Sequence, residues 1–211
     1  MTASAIKRGL TVYSSHKLFV PAMRALIETP ALKIDGFINP GHVSTIIGTK
    51  PYEIFKLPQV ITGFTGEDVL LGIYMLLKQI SDRRSDVENE YTRSVRTEGN
   101  PIAVELINEI FEPEDAFWRG IGKIPGSGLR IRDKYAEFDA KKKYKDILDL
   151  LNTKYRTLNT SAGCICGAIL RGLKEPEDCQ LFNKKCTPEN PVGACMVSSE
   201  GACGIAAKFG E

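Results

Sequence analysis

The chain has 211 residues, 43% of them apolar, enough for one sizeable α/β core with a small appended module. Its 28 basic and 26 acidic residues leave a net charge of +2, so it has no general basic field of the kind that attracts nucleic acid, and none is expected as a partner. No segment approaches the roughly 20 apolar residues of a membrane span, and the start Met1-Thr2-Ala3-Ser4-Ala5-Ile6 lacks the apolar run of a signal sequence, so a cytoplasmic protein is expected.

In chain order, residues 9–15 (Gly-Leu-Thr-Val-Tyr-Ser-Ser) read as a short strand, and Pro21 opens an apolar-periodic helix through Met23, Leu26 and Ile27. A second unit follows. Residues 34–38 read as a strand ending at the Asn39-Pro40-Gly41 turn, and Val43, Ile46 and Ile47 have helical spacing before Gly48 stops them. In the third unit, residues 59–64 form a strand, Thr65 and Asp68 have capping-box spacing, and Val69, Leu70, Ile73, Leu76, Leu77 and Ile80 make a broad apolar helical face expected to lie on the sheet. Asn100 and Pro101 start a further helix that ends near Phe111 and Pro113. Residues 117–122 read as a last strand leading into the Pro125-Gly126-Ser127-Gly128 turn, and Asp133 to Leu151 as a polar helix whose lysine run is a solvated face.

Three strand-then-helix units predict an α/β fold, a Rossmann-like parallel sheet with flanking helices. The expected division is an α/β domain over 1–132, a helical linker over 133–155 and a cysteine-rich module over 156–211. In such sheets ligands gather at the carboxyl ends of strands, where Ser14, Ser15, His16, Gly41, His42, Gly63 and Thr65 all fall. One rim therefore collects both histidines. For each, two readings stand: an acid/base or hydrogen-bonding group in a pocket, or a helix cap or solvent-facing side chain. Neither a G-x-G-x-x-G fingerprint nor a phosphate loop is present. The polar strings Glu88 to Arg93 and Trp118-Arg119-Gly120 suit either a site or surface ion pairs, with Trp118 read as a packing residue.

All six cysteines lie between Cys164 and Cys203, and none precedes them. In a reducing compartment such thiols ligate metal or do redox work more often than they form disulfides. The intervals, one residue between Cys164 and Cys166, twelve to Cys179, six to Cys186, eight to Cys195 and seven to Cys203, contain no C-x₂₋₄-C zinc knuckle and no C-x₂-C-x₂-C ferredoxin run. Six thiols exceed the four that one site needs, so the economical division is a four-cysteine iron–sulfur cluster plus two further thiols.

The run from Cys179 through Asn-Lys-Lys-Cys186-Thr-Pro-Glu-Asn-Pro-Val-Gly-Ala-Cys195 to Cys203 resembles the carboxyl-terminal signature of the HypD family of nickel–iron hydrogenase maturation factors. The resemblance extends to Trp118-Arg119-Gly120, to Glu88-Asn89-Glu90-Tyr91-Thr92-Arg93, to Gly63-Phe64 and to the stretch from Gly36 through Pro40-Gly41-His42-Val43-Ser44. It implies a 4Fe-4S cluster held by Cys164, Cys179, Cys186 and Cys203, beside a redox pair formed by Cys166 and Cys195. It also implies work with a HypC-like chaperone and a HypE-like cyanide donor on an iron centre bearing two cyanides and one carbon monoxide, and a functional role for His42. The cysteine-rich module is similar to that of ferredoxin–thioredoxin reductase. The resemblance further implies a longer protein whose amino-terminal half carries its own cysteines, so this chain is expected to correspond to the second half, with the other half as a further partner. A free-standing thiol–disulfide oxidoreductase and a structural zinc module are the competing expectations.

Overall fold

The computed structural model describes residues 2–30, 34–118, 120–155 and 163–210. It opens with helices α1 (Thr2–Lys7) and α2 (Phe19–Ile27), then strand β1 (Phe37–Pro40), helix α3 (Gly41–Ile47), strand β2 (Gln59–Thr62), helix α4 (Gly66–Ser81) and strand β3 (Val87–Asn89). Helix α5 (Pro101–Ile110) runs directly into strands β4 (Phe111–Trp118) and β5 (Gly122–Ile131). Helices α6 (Ala140–Lys143) and α7 (Lys145–Tyr155) precede the short helices of the cysteine-rich segment, α8 (Cys166–Ile169), α9 (Ala194–Val197) and α10 (Ala202–Phe209).

The α/β expectation holds: β1, β2 and β3 form a parallel sheet in that order, with Asn39 opposite Ile61 and Ile61 opposite Asn89. On the face carrying Ile61, α2 contributes Met23 to a cluster with Tyr52, Phe55 and Val95. Beneath that cluster runs a polar tether. The fully buried Gln59 donates from Nε2 to the carbonyls of Tyr52 (3.0 Å) and Phe55 (3.2 Å), and its Oε1 accepts from Asn39 Nδ2 (3.1 Å), so one side chain joins two strands to the turn beside them.

Local signals act as the sequence predicts at two helix starts. Thr65 Oγ1 accepts from the Asp68 N–H (3.1 Å) and Asp68 Oδ2 from the Thr65 N–H (3.2 Å), a reciprocal capping box on α4. At α5, Asn100 Oδ1 accepts from the Ala103 N–H (3.1 Å), with Pro101 at the first position.

Several expectations are corrected. Residues 9–15 are not a sheet strand, since Val12 makes only an isolated bridge to Asp139. Strand β1 begins at Phe37 and runs through Asn39 and Pro40, because Asn39 is buried against Gln59 and a proline is tolerated at a sheet edge. The string at 88–93 begins inside the sheet, as β3. Residues 117–122 are no strand of the parallel sheet; they close an antiparallel β4–β5 hairpin whose register slips between Glu114 and Ala116. The Pro125-Gly126-Ser127-Gly128 stretch lies within that irregularity, where Asp115 Oδ1 accepts from the Gly126 N–H (3.0 Å), so its turn-forming residues serve a bulge. The helix expected over 133–151 is broken into a 3-10 segment at Asp133–Phe138, α6 and α7, with Asp139 capping α6.

The largest correction concerns α4. Its sheet-facing positions are Asp68, Gly72 and Gln79, all buried, whereas Val69, Leu70, Ile73, Leu77 and Ile80 are exposed. Gln79 takes the place of an apolar anchor: Nε2 donates to the Gln59 carbonyl (3.1 Å) and Oε1 accepts from the Asp86 N–H (3.0 Å). Gly72 allows close approach, since a Cβ there would stand 2.0 Å from Thr62 Cγ2.

Replacing Gln59 by leucine would leave the Asn39 amide and the Phe55 carbonyl unpaired and would take one of two donors from the Tyr52 carbonyl, which keeps the Phe55 N–H. Urea denaturation of Gln59→Leu is expected to show a loss of about 2–3 kcal/mol of stability.

Candidate functional site

The cysteine-rich segment is built around sulfur. Cys166, Cys179, Cys186, Cys195 and Cys203 are buried in one cluster whose only other fully buried members among the described residues are Ile169 and Met196, with the half-buried Cys164 packed against it. Backbone elements aim each thiol inward. Cys166 opens α8, Cys179 follows the 3-10 turn Pro176–Asp178, and Cys195 and Cys203 each occupy the second position of a short helix preceded by glycine.

Close approach is what the glycines provide. A Cβ on Gly193 would stand 2.6 Å from Cys164 Sγ and 3.0 Å from Cys166 Cβ, and one on Gly201 would stand 2.3 Å from the Cys195 carbonyl oxygen. The hairpin reaches the same place: Gly120, at φ +87, lies against Cys166 Sγ, and a Cβ on Gly167 would meet the Gly120 carbonyl at 2.0 Å. The Trp118-Arg119-Gly120 string is thus attached to the thiol cluster through its glycine, while Arg119 lies outside the described residues. Trp118 packs as expected, its Nε1 donating to Ser127 Oγ at 2.7 Å.

All six cysteines are free thiols. The Cys203 thiol donates to Cys195 Sγ (3.4 Å), and Cys186 Sγ accepts from the Val192 N–H (3.3 Å). Burial raises the pKa of Cys164, Cys195 and Cys203. For Cys195 the hydrogen bond from Cys203 and the proximity of Cys166 push the same way as burial. Among the described residues no three His, Cys, Asp or Glu side chains close into a single-ion site. The donor set is nevertheless uniform: soft sulfur, five of the six buried, with no carboxylate or imidazole in the buried cluster among the described residues, and a cradle at Gly193 that any side chain would fill. It fits a thiolate-held metal cluster.

The second constellation lies at the carboxyl ends of the parallel strands. His42 is the second residue of α3, which follows β1 directly, and stacks on Phe64, ring centroids 3.9 Å apart. His16 comes from the loop beside the hairpin, with Nδ1 3.0 Å from Ser14 Oγ and its ring edge-on to Phe111. The structure brings both histidines to one cleft of about 490 Å³ walled by Leu18, Val43, Ile46, Ile107 and Leu129. Next to the His42–Phe64 pair, Gly63 donates its N–H to Glu90 Oε2 (3.1 Å), and Arg93 Nη2 bonds Asp68 Oδ2 (2.5 Å) while its guanidinium lies over the Tyr91 ring (4.4 Å). Asp68 was legible in the sequence only as a cap; its bond to Arg93 joins sites 25 residues apart and has no local signal.

Fold and site together define an α/β protein with a polar rim and a thiol-cored module whose donors suit soft metals. Among families of known proteins, the one described as "HypD: Hydrogenase formation hypA family" matches residues 2–210. Hydrogenase maturation factor HypD of Cupriavidus necator is 44% identical over 214 residues, covering 96% of this chain and 55% of that protein. HypD of Rhizobium leguminosarum is 42% identical over 222 residues, 99% of this chain and 56% of the relative, and HypD1 of Bradyrhizobium diazoefficiens is 48% identical over 206 residues, 92% and 52%. The chain belongs to the HypD family. It spans about half the length of the curated relatives it matches. Among the described residues no helix is long and apolar enough to cross a membrane.

The Arg93 guanidinium, by hydrogen bond and charge, holds the Asp68 carboxyl at a pKa of about 2, below its ordinary 3.8. A depressed folded-state pKa means the stabilisation is complete above the ordinary value and is lost as pH falls through it towards 2. Melting temperature measured across that acid window is expected to fall in the native chain and to fall less in Asp68→Asn.

Proposed function

We propose that the chain acts in nickel–iron hydrogenase maturation as the cluster-bearing portion of a HypD-type scaffold. One observation carries the reading: five thiols from separate backbone segments are gathered into a single buried core with Ile169 and Met196, and the sixth, Cys164, packs half-buried against it. Bare thiols are poor core material for a segment this small, and a bound metal centre both deprotonates them and ties their elements together. Cys164, Cys179, Cys186 and Cys203 would hold a 4Fe-4S cluster, and when bound such a cluster supplies one-electron transfer.

Cys166 and Cys195 are the remaining thiols, both almost fully buried and close to one another, and their interconversion between dithiol and disulfide would make or break one S–S bond, with two protons and two electrons exchanged with an external thiol–disulfide redox partner. The rim of the α/β unit serves as the second working surface. There His42, exposed and ring-stacked on Phe64, offers an acid/base or hydrogen-bonding group at the mouth of an apolar cleft. The cargo of the scaffold is an iron centre with two cyanides and one carbon monoxide, received with a HypC-like chaperone and a HypE-like cyanide donor in the cytoplasm, where thiols stay reduced.

A second division of the cysteines is favoured by one contact. The Cys203 thiol lies 3.4 Å from Cys195 Sγ, so Cys195 with Cys203 is an alternative redox pair, leaving Cys166 among the ligands.

Anaerobic reconstitution with iron and sulfide is expected to load about four irons and four sulfides per chain. Cys195→Ser and Cys166→Ser should keep that iron, and Cys179→Ser and Cys203→Ser should lose most of it. Iron retained in Cys203→Ser and lost in Cys166→Ser would establish the alternative pair. Stoichiometric zinc without sulfide would overturn the cluster altogether.

A further inference from the structure

Helix α4 turns its polar and small residues to the sheet and its apolar residues to solvent, the reverse of an amphipathic helix on its own core. With about 100° per residue, Val69, Ile80, Ile73, Leu77, Leu70 and Tyr74 fall in that angular order on one continuous stripe about 140° wide. The exposures are large where they matter: Leu70 69%, Tyr74 61% and Leu77 59%. Stripes of this size are uncommon on a free surface and mark interaction faces.

The stripe does not stand alone. Leu76, at its margin, leans over the start of β1, where a Cβ on Gly36 would meet Leu76 Cδ1 at 2.8 Å. Strand β1 is one of the two edge strands of the parallel sheet, and its Ile38, in register with Val60 on the α4 face, is 42% exposed. Helix flank and sheet edge therefore form one apolar surface lying where an α/β layer would be continued by more chain. The relatives contain such chain: this sequence matches only 52–56% of their length.

We propose that the α4 stripe and the β1 edge are the docking surface for the part of the family polypeptide that has no counterpart in this chain. That polypeptide covers Leu70, Tyr74 and Leu77 and extends the layer past Ile38. The proposal rests on family membership and on burial, and is independent of what the cysteines bind.

Carbene footprinting on two intact proteins tests it: this chain, and full-length HypD of Cupriavidus necator. In this chain α4 should label strongly at every dilution. In the relative, the helix aligned with Gly66–Ser81 should label about tenfold less, because an interface core is packed like an interior. Equal labelling of that helix in the relative would overturn the proposal. So would labelling in this chain that falls as its concentration rises, which would make a second copy the occupant.

Discussion

The burial of five cysteine side chains in one small volume, with Cys164 half-buried against them, is the constraint on which the carboxyl-terminal segment depends. Ile169 and Met196 are the buried large side chains that share that core among the described residues, and the helices that carry the thiols are only four to eight residues long. Such helices have little stability of their own, so whatever joins the sulfurs sets the shape of the segment. The glycines follow from the same constraint. Gly193, Gly201 and Gly167 sit where a methyl group would collide with a sulfur or a carbonyl, and Gly120 lets the hairpin close over Cys166. The thiol core and the α/β unit are thereby physically joined, and a change at the β4–β5 turn would be felt at Cys166.

The α/β unit is held differently, by polar tethers as much as by apolar packing. Gln59 and Gln79, both fully buried, connect the sheet to the Tyr52–Phe55 turn and to the entry into β3, and Asp68 links the start of α4 to Arg93. Each bond satisfies a buried group that would otherwise be costly, which fixes the register of the elements without needing large side chains at the contact. Helix α4 is thereby anchored through the stripe containing Asp68, Gly72 and Gln79. Its leucines and isoleucines are left for another surface.

This explains what was legible in the sequence. Caps were legible because they are local: Thr65 with Asp68 and Asn100 with Pro101 act within one turn, and both helices begin where those residues say. Strand β2 was legible from its apolar run, whereas β1 was placed early because Asn39-Pro40 read as a turn and not as strand residues. The orientation of α4 was not, because periodicity locates an apolar stripe without saying what covers it, and here the sheet-facing stripe is polar. The hairpin was hidden by Pro113, Pro125, Gly126 and Gly128, which read as breakers yet are accommodated by an irregular register. The thiol site was the most legible feature, since crowding of cysteines survives any error in secondary structure. Its glycine cradle and its contact with Gly120 were invisible, because both depend on segments brought together only by the fold.

The central claim is that the thiol core requires a metal centre to be a stable core. Hydrogen–deuterium exchange of residues 163–210, compared between the chain reconstituted anaerobically with iron and sulfide and the same chain stripped by chelator, tests it most directly. The account predicts strong protection of this segment in the reconstituted chain, lost on stripping, with residues 37–118 little changed. Equal protection in both states would contradict it.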